Sequence, residues 1–148
     1  MDKVKIQLFD GFQVVINGSE LPLAPSAKET LALLTVAGGK RVTAKAVWKI
    51  LYGYKKIGYN GSLYTKRIND IKSELEVFQI SDIIIRGAAT VRFCRINRDA
   101  VTCDYYEMLD GKLPFGEEAS FLPEYEWAKE FYRKDWHDLY QYWDNLKY

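Results

Sequence analysis

Histidine occurs once in the 148 residues, as His137, and cysteine twice, as Cys94 and Cys103. Two cysteines are too few for the disulfide framework that staples small secreted chains. A zinc site needs paired ligands at short spacing, which two separate thiols and a distant imidazole do not supply. No metal and no cofactor is expected. Catalysis is poorly served as well. The lone histidine lies between Trp136 and Asp138, and no Ser-His-Asp order, paired-acid loop or phosphate-cradling glycine motif occurs. An enzyme is not expected. No apolar run approaches the roughly 18 residues that span a bilayer. The opening MDKVKIQLFDGF lacks the basic-then-apolar layout of a secretory signal. The expected location is the cytoplasm, with no membrane partner. Internal repeats and low-complexity tracts are also missing.

What is present is apolar content of 48%, enough to bury a core. The net charge of +1 conceals a segregation. Residues 40–98 hold 13 Lys and Arg against 4 Asp and Glu, a net of +9. Residues 99–148 hold 5 against 12, a net of −7. A basic middle and an acidic end point to two surfaces with different partners.

The chain begins with strand signals. In KVKIQLF, Val4, Ile6 and Leu8 share one face at period two. Asp10-Gly11 is a turn, Phe12 to Ile16 a second strand, and Asn17-Gly18 another turn. Leu21 to Leu23 reads as a short third strand, completing an N-terminal antiparallel sheet. A helix follows, with Ser26 and Glu29 spaced as a capping box and Pro25 just ahead. Gly38-Gly39 ends it. A second helix opens at Thr43, whose hydroxyl can cap, and turns Val47 and Leu51 inward. The stretch GYKKIGYNG, with three glycines, is a loop.

In YNGSLYTKRINDIKSEL, apolar residues fall at Tyr64, Ile68, Ile71 and Leu75, spaced four, three and four. That spacing puts them on one side of a third helix over about 61–77. Ser62, Thr65, Lys66, Asn69, Lys72 and Ser73 fall mainly on the other. Such side chains reach phosphates and base edges, and they are also what a solvated face carries. Ile83 to Arg86 and Val91 to Ile96 then read as a β-hairpin around Gly87-Ala88-Ala89-Thr90, with Arg86 and Arg92 at its base.

Strands, three helices and a hairpin in that order make an α+β winged helix-turn-helix. In that plan the third helix enters the major groove and the hairpin wing (86–92) approaches the backbone or minor groove. Double-stranded DNA is the expected partner. Thr65, Lys66, Asn69 and Ser73 are the candidate base readers, with Ser62 beside them. Arg67, Lys72, Lys55, Lys56, Arg86 and Arg92 are candidate phosphate contacts. The alternative is a winged-helix protein-interaction module that has lost DNA binding.

The division expected is a DNA-binding domain over 1–98 and an aromatic-rich helical extension over 99–148. The extension holds 13 of the 22 aromatics. A short helix is expected over Asp104 to Leu109. A long one is expected from about Glu124 to Asn145, with Tyr125, Ala128, Tyr132, Trp136, Leu139 and Trp143 along one face. These rings pack either against the first domain or against a partner, through self-association or the transcription machinery.

The layout resembles the OmpR-type winged-helix domain of regulators in the Streptomyces antibiotic regulatory protein group, over nearly the whole chain. KETLALL, a glycine pair and VTAKAVWKIL are similar to that family's first two helices. Tyr64, Ile68, Ile71 and Lys72 follow its third-helix pattern, with lysine where arginine is usual. VTCDYYEML is similar to the segment joining that domain to the bacterial transcriptional activation domain. FLPEYEWAKE is similar to the start of the activation domain, in the versions attached to response regulators. The resemblance implies a bacterial, sequence-specific transcription regulator with only the first part of the activation-domain pattern. The chain departs from the family in the wing, where RGAATVRF replaces a Gly-Tyr-Arg-like sequence.

Overall fold

The computed structural model describes residues 4–53, 58–87, 93–114 and 116–134. They form an α+β fold. The elements are β1 (Val4–Gln7), β2 (Gln13–Ile16), β3 (Ser19–Glu20), α1 (Pro25–Val36), β4 (Val42–Thr43), α2 (Ala44–Tyr52), α3 (Gly61–Glu76), β5 (Ile84–Arg86), β6 (Phe93–Ile96), β7 (Val101–Cys103) and α4 (Asp104–Leu109). Short 3-10 turns lie at Arg98–Ala100, Glu118–Ser120 and Glu126–Phe131.

The first sheet has strand order β3-β2-β1-β7. Val4 and Ile6 of β1 are buried while Lys5 between them is exposed, as a half-buried strand requires. Asn17 (φ 52°) and Gly18 (φ 81°) form a two-residue turn, so Ser19 already lies opposite Ile16. The third strand is therefore Ser19–Glu20 and not Leu21 to Leu23. The sheet is also not purely antiparallel, because β7 runs parallel to β1 with Val101 opposite Val4.

Helix α1 is the centre of the molecule. Every residue from Thr30 to Val36 is buried. Two of these are threonines, whose hydroxyls donate to the carbonyls of Ser26 and Leu31 at 2.8 Å each. The capping box does not form. Pro25 itself takes the first helical turn, where its fixed φ fits and its missing N–H costs nothing. Glu29 is thereby released, and its carboxylate accepts from the Trp127 indole at 2.9 Å. Gly38 (φ 66°) and Gly39 (φ 93°) then turn the chain out of the helix.

Thr43 has two roles. It closes β4, which pairs antiparallel with β6, and its hydroxyl caps α2 by accepting from the Ala46 N–H at 3.1 Å. The residues signal the cap and not the strand, which is only two residues long. The second sheet has order β4-β6-β5, with Ile84 opposite Ile96 and Arg86 opposite Cys94. The expected hairpin is present in these strands; its tip, with Arg92, lies outside the described residues.

The expected boundary at 98/99 is not a boundary in packing. Strand β7 belongs to the N-terminal sheet, and one continuous core joins Leu8, Leu34 and Ile96 to Tyr106, Phe121 and Phe131. The Tyr106 hydroxyl donates to the Thr35 carbonyl at 2.5 Å. Among the described aromatics of the extension, Tyr105, Tyr106, Phe121, Trp127, Phe131 and Tyr132 are buried, so they serve as core.

Helix α4 matches the short helix expected over Asp104 to Leu109, but the long helix from Glu124 does not form over 124–134. Glu124 instead turns its carboxylate to the Phe12 N–H at 2.8 Å, and a 3-10 turn follows over Glu126–Phe131. Arg133 then adopts φ 58°, which ends any helical course. Trp136, His137, Leu139 and Trp143 lie outside the described residues. No helix among the described residues is long and apolar enough to cross a membrane.

Candidate nucleic-acid interface

Helix α3 follows the spacing closely. Asn60 caps it, its side-chain oxygen accepting from the Leu63 N–H at 3.0 Å. Tyr64, Ile68, Ile71 and Leu75 are buried. Ser62, Lys66, Asn69 and Ser73, one residue or two further around the helix, are exposed. Thr65 and Lys72 are half-buried at its flanks, Lys72 beside Ile83 and Ile84 of the hairpin. Burial raises the Tyr64 phenol and the Cys94 thiol above their ordinary values, so both stay neutral near pH 7. The charge of this face therefore comes from its lysines, its arginines and the acids that pair with them. Both cysteines are free and buried, and burial pushes Cys103 up to about 12, which keeps it an inert thiol.

Lys66, Asn69 and Arg67 of this helix each have a partner in the fold. Lys66 pairs with Asp70 one turn on, Nζ to Oδ2 at 3.0 Å. The four-residue interval between them is a signal present in the sequence. Asn69 accepts a hydrogen bond on its side-chain oxygen from the Arg86 guanidinium of β5, which joins the helix to the hairpin. Arg67 points toward α2. Its guanidinium carbon lies 4.9 Å from the centre of the Tyr52 ring and 5.3 Å from that of Trp48. It also donates to the Tyr52 hydroxyl. Trp48 and Tyr52 are themselves one turn apart and in contact, so they form an aromatic shelf for the cation. Arg67 is thus a strut between α2 and α3 and not a free phosphate contact.

Of the residues expected at the interface, Ser62, Lys66, Asn69 and Ser73 share the outer face of α3, and Arg86 joins them there. Thr65 and Lys72 border it. Lys55, Lys56 and Arg92 lie outside the described residues. Among the described residues no group of acids, cysteines and histidines could hold a metal ion. Comparison with protein-family models, with curated proteins and with solved structures finds no match.

The strut makes a prediction. Arg67→Ala removes a cation–π contact and a hydrogen bond from a charged donor, and is expected to cost about 1–3 kcal/mol of stability. Thermal unfolding followed by circular dichroism measures it. Any salt dependence of duplex binding should stay unchanged. An unaltered melting temperature with a salt slope flatter by about one unit would return Arg67 to the phosphate backbone.

Proposed function

We propose that this chain is a sequence-specific, winged-helix DNA-binding transcription regulator, acting in the cytoplasm. In this reading α3 lies in the major groove and the hairpin of β5 and β6 is the wing on the adjoining backbone. The observation that carries it is the outer face of α3. Ser62, Lys66, Asn69 and Ser73 line up opposite a fully buried stripe, and Asn69 is bonded to Arg86 of the hairpin. A major groove about 12 Å wide admits such a helix, and these side chains are donors and acceptors suited to base edges. The net +9 of residues 40–98 supports the same reading, because phosphate neutralisation provides most of the affinity. The resemblance to OmpR-type regulators adds the expectation of transcriptional control.

The second reading is a winged-helix module that binds a protein. It is favoured by the pairing of Lys66 with Asp70 and by the retention of Arg67 on its aromatic shelf, which withdraw two cations from a phosphate surface.

Binding of a labelled mixed-sequence duplex, followed by fluorescence anisotropy against salt, separates the two. With about four phosphates neutralised, log K against log salt should have a slope near −4, at roughly −0.9 per phosphate. Lack of binding at low salt would remove the DNA reading in favour of the protein module.

A further inference from the structure

Asn69 and Arg86 lie 17 residues apart in sequence, on different elements, yet the Arg86 guanidinium donates to the Asn69 side-chain oxygen. Both residues are exposed. An asparagine free on a recognition helix suits adenine, because its oxygen accepts from the N6 amine while its NH2 donates to N7. Here the oxygen already faces a cation. An adenine amine approaching that oxygen would bring its own positive hydrogens against the guanidinium. With that oxygen engaged, the polar groups that the exposed pair has left to offer are donors: the asparagine NH2 and the remaining guanidinium N–H groups. A set of donors fits an edge made only of acceptors. In the major groove that edge is guanine, with O6 and N7 side by side.

We propose that Arg86 and Asn69 act as one reading unit that selects guanine, with Arg86 setting the orientation of the Asn69 amide. This rests on the DNA-binding reading above and deepens it, since it gives the candidate base reader Asn69 a guanine contact shared with the hairpin. Each residue's role depends on the other: without Arg86 the amide is free to rotate, and without Asn69 the guanidinium loses its anchor.

The test is selection of duplexes from a pool with a randomised centre, using the full chain and its Asn69→Ala, Arg86→Ala, Arg86→Lys and doubly Ala-substituted variants. Anisotropy measurements on the selected duplex then follow. The wild type should prefer guanine over adenine at one position by about tenfold. Both single Ala variants should lose that preference at the same position, and the double variant should lose no more than either. Arg86→Lys should keep the salt slope but lose the preference, because an ammonium holds a phosphate but has no planar fork. Replacing that guanine with 7-deazaguanine should weaken the wild type several-fold and leave Arg86→Ala unaffected. Effects of the two residues at different positions, additive losses, or an adenine preference carried by Asn69 alone would overturn the unit while leaving DNA binding intact. A wild type that binds no duplex at low salt would remove both readings together.

Discussion

Phe121→Ala is expected to lower the stability of the whole chain by about 3–5 kcal/mol, the usual cost of emptying a fully buried aromatic site. Phe121 is 0% exposed. Its ring lies 5.6 Å from that of Phe9 and 4.8 Å from those of Tyr105 and Tyr132. Phe9 and Phe121 also form a backbone bridge, so the 3-10 segments are tied to the strand that starts the chain. The loss should therefore not be local. Urea unfolding read by circular dichroism and by tryptophan fluorescence should remain one transition, shifted equally in both signals. Amides of β1 and α1 should lose hydrogen-exchange protection together with those of α4. Two separated transitions, with α1 to α3 as stable as in the wild type, would restore the division at 98/99 that composition suggests.

The second large effect is expected at Asp104. Its carboxylate accepts from the N–H groups of Leu8 at 2.8 Å, Phe9 at 3.2 Å and Tyr105 at 2.8 Å. Leu8 and Phe9 follow directly on β1, and the residue that holds them starts α4. Leu8 is 0% exposed, so its N–H has no recourse to water once the carboxylate is gone. Hydrogen bonds to a charged group are worth about 1.5–3 kcal/mol, and leaving a buried donor unpaired adds its desolvation cost. Asp104→Ala should lose about 2–4 kcal/mol in denaturant unfolding. Asp104→Asn keeps one acceptor oxygen and should recover part of that loss. Equal stability of the Ala variant and the wild type would show that these backbone groups find other partners.

Both effects fall at joints that local sequence patterns do not reveal. The register of α3 is legible because four apolar residues repeat over a helix long enough for the angle to accumulate. The Asn17-Gly18 turn and the Thr43 cap are legible for similar reasons, each being a local hydrogen-bond or φ requirement. The β1–β7 pairing is not. Three residues of β7 carry too little alternation to signal a strand, and their partner lies at the other end of the sequence. The expected helix from Glu124 fails for a related reason. Tyr125, Ala128 and Tyr132 do recur at helical spacing, but Glu124 is drawn to Phe12 and the rings enter a core that they share with Phe9. At the candidate interface, spacing locates the outer face of α3 and the Lys66–Asp70 pair, but not the partners of Arg67 and Asn69. That Arg67 rests on Trp48 and Tyr52, and that Asn69 meets Arg86, depends on how α2 and the hairpin pack beside α3.

Contact of the outer face of α3 with DNA is read residue by residue in nuclear magnetic resonance of the isotope-labelled chain titrated with a mixed-sequence duplex at low salt. The largest shifts are expected at Ser62, Lys66, Asn69 and Ser73, including the Asn69 side-chain amide, with Arg86 responding alongside. Residues of α1 and of the acidic segment from Glu117 to Glu130 should stay nearly still. Shifts concentrated in that acidic segment, or a spectrum that the duplex leaves unchanged, would rule out this face as the DNA contact.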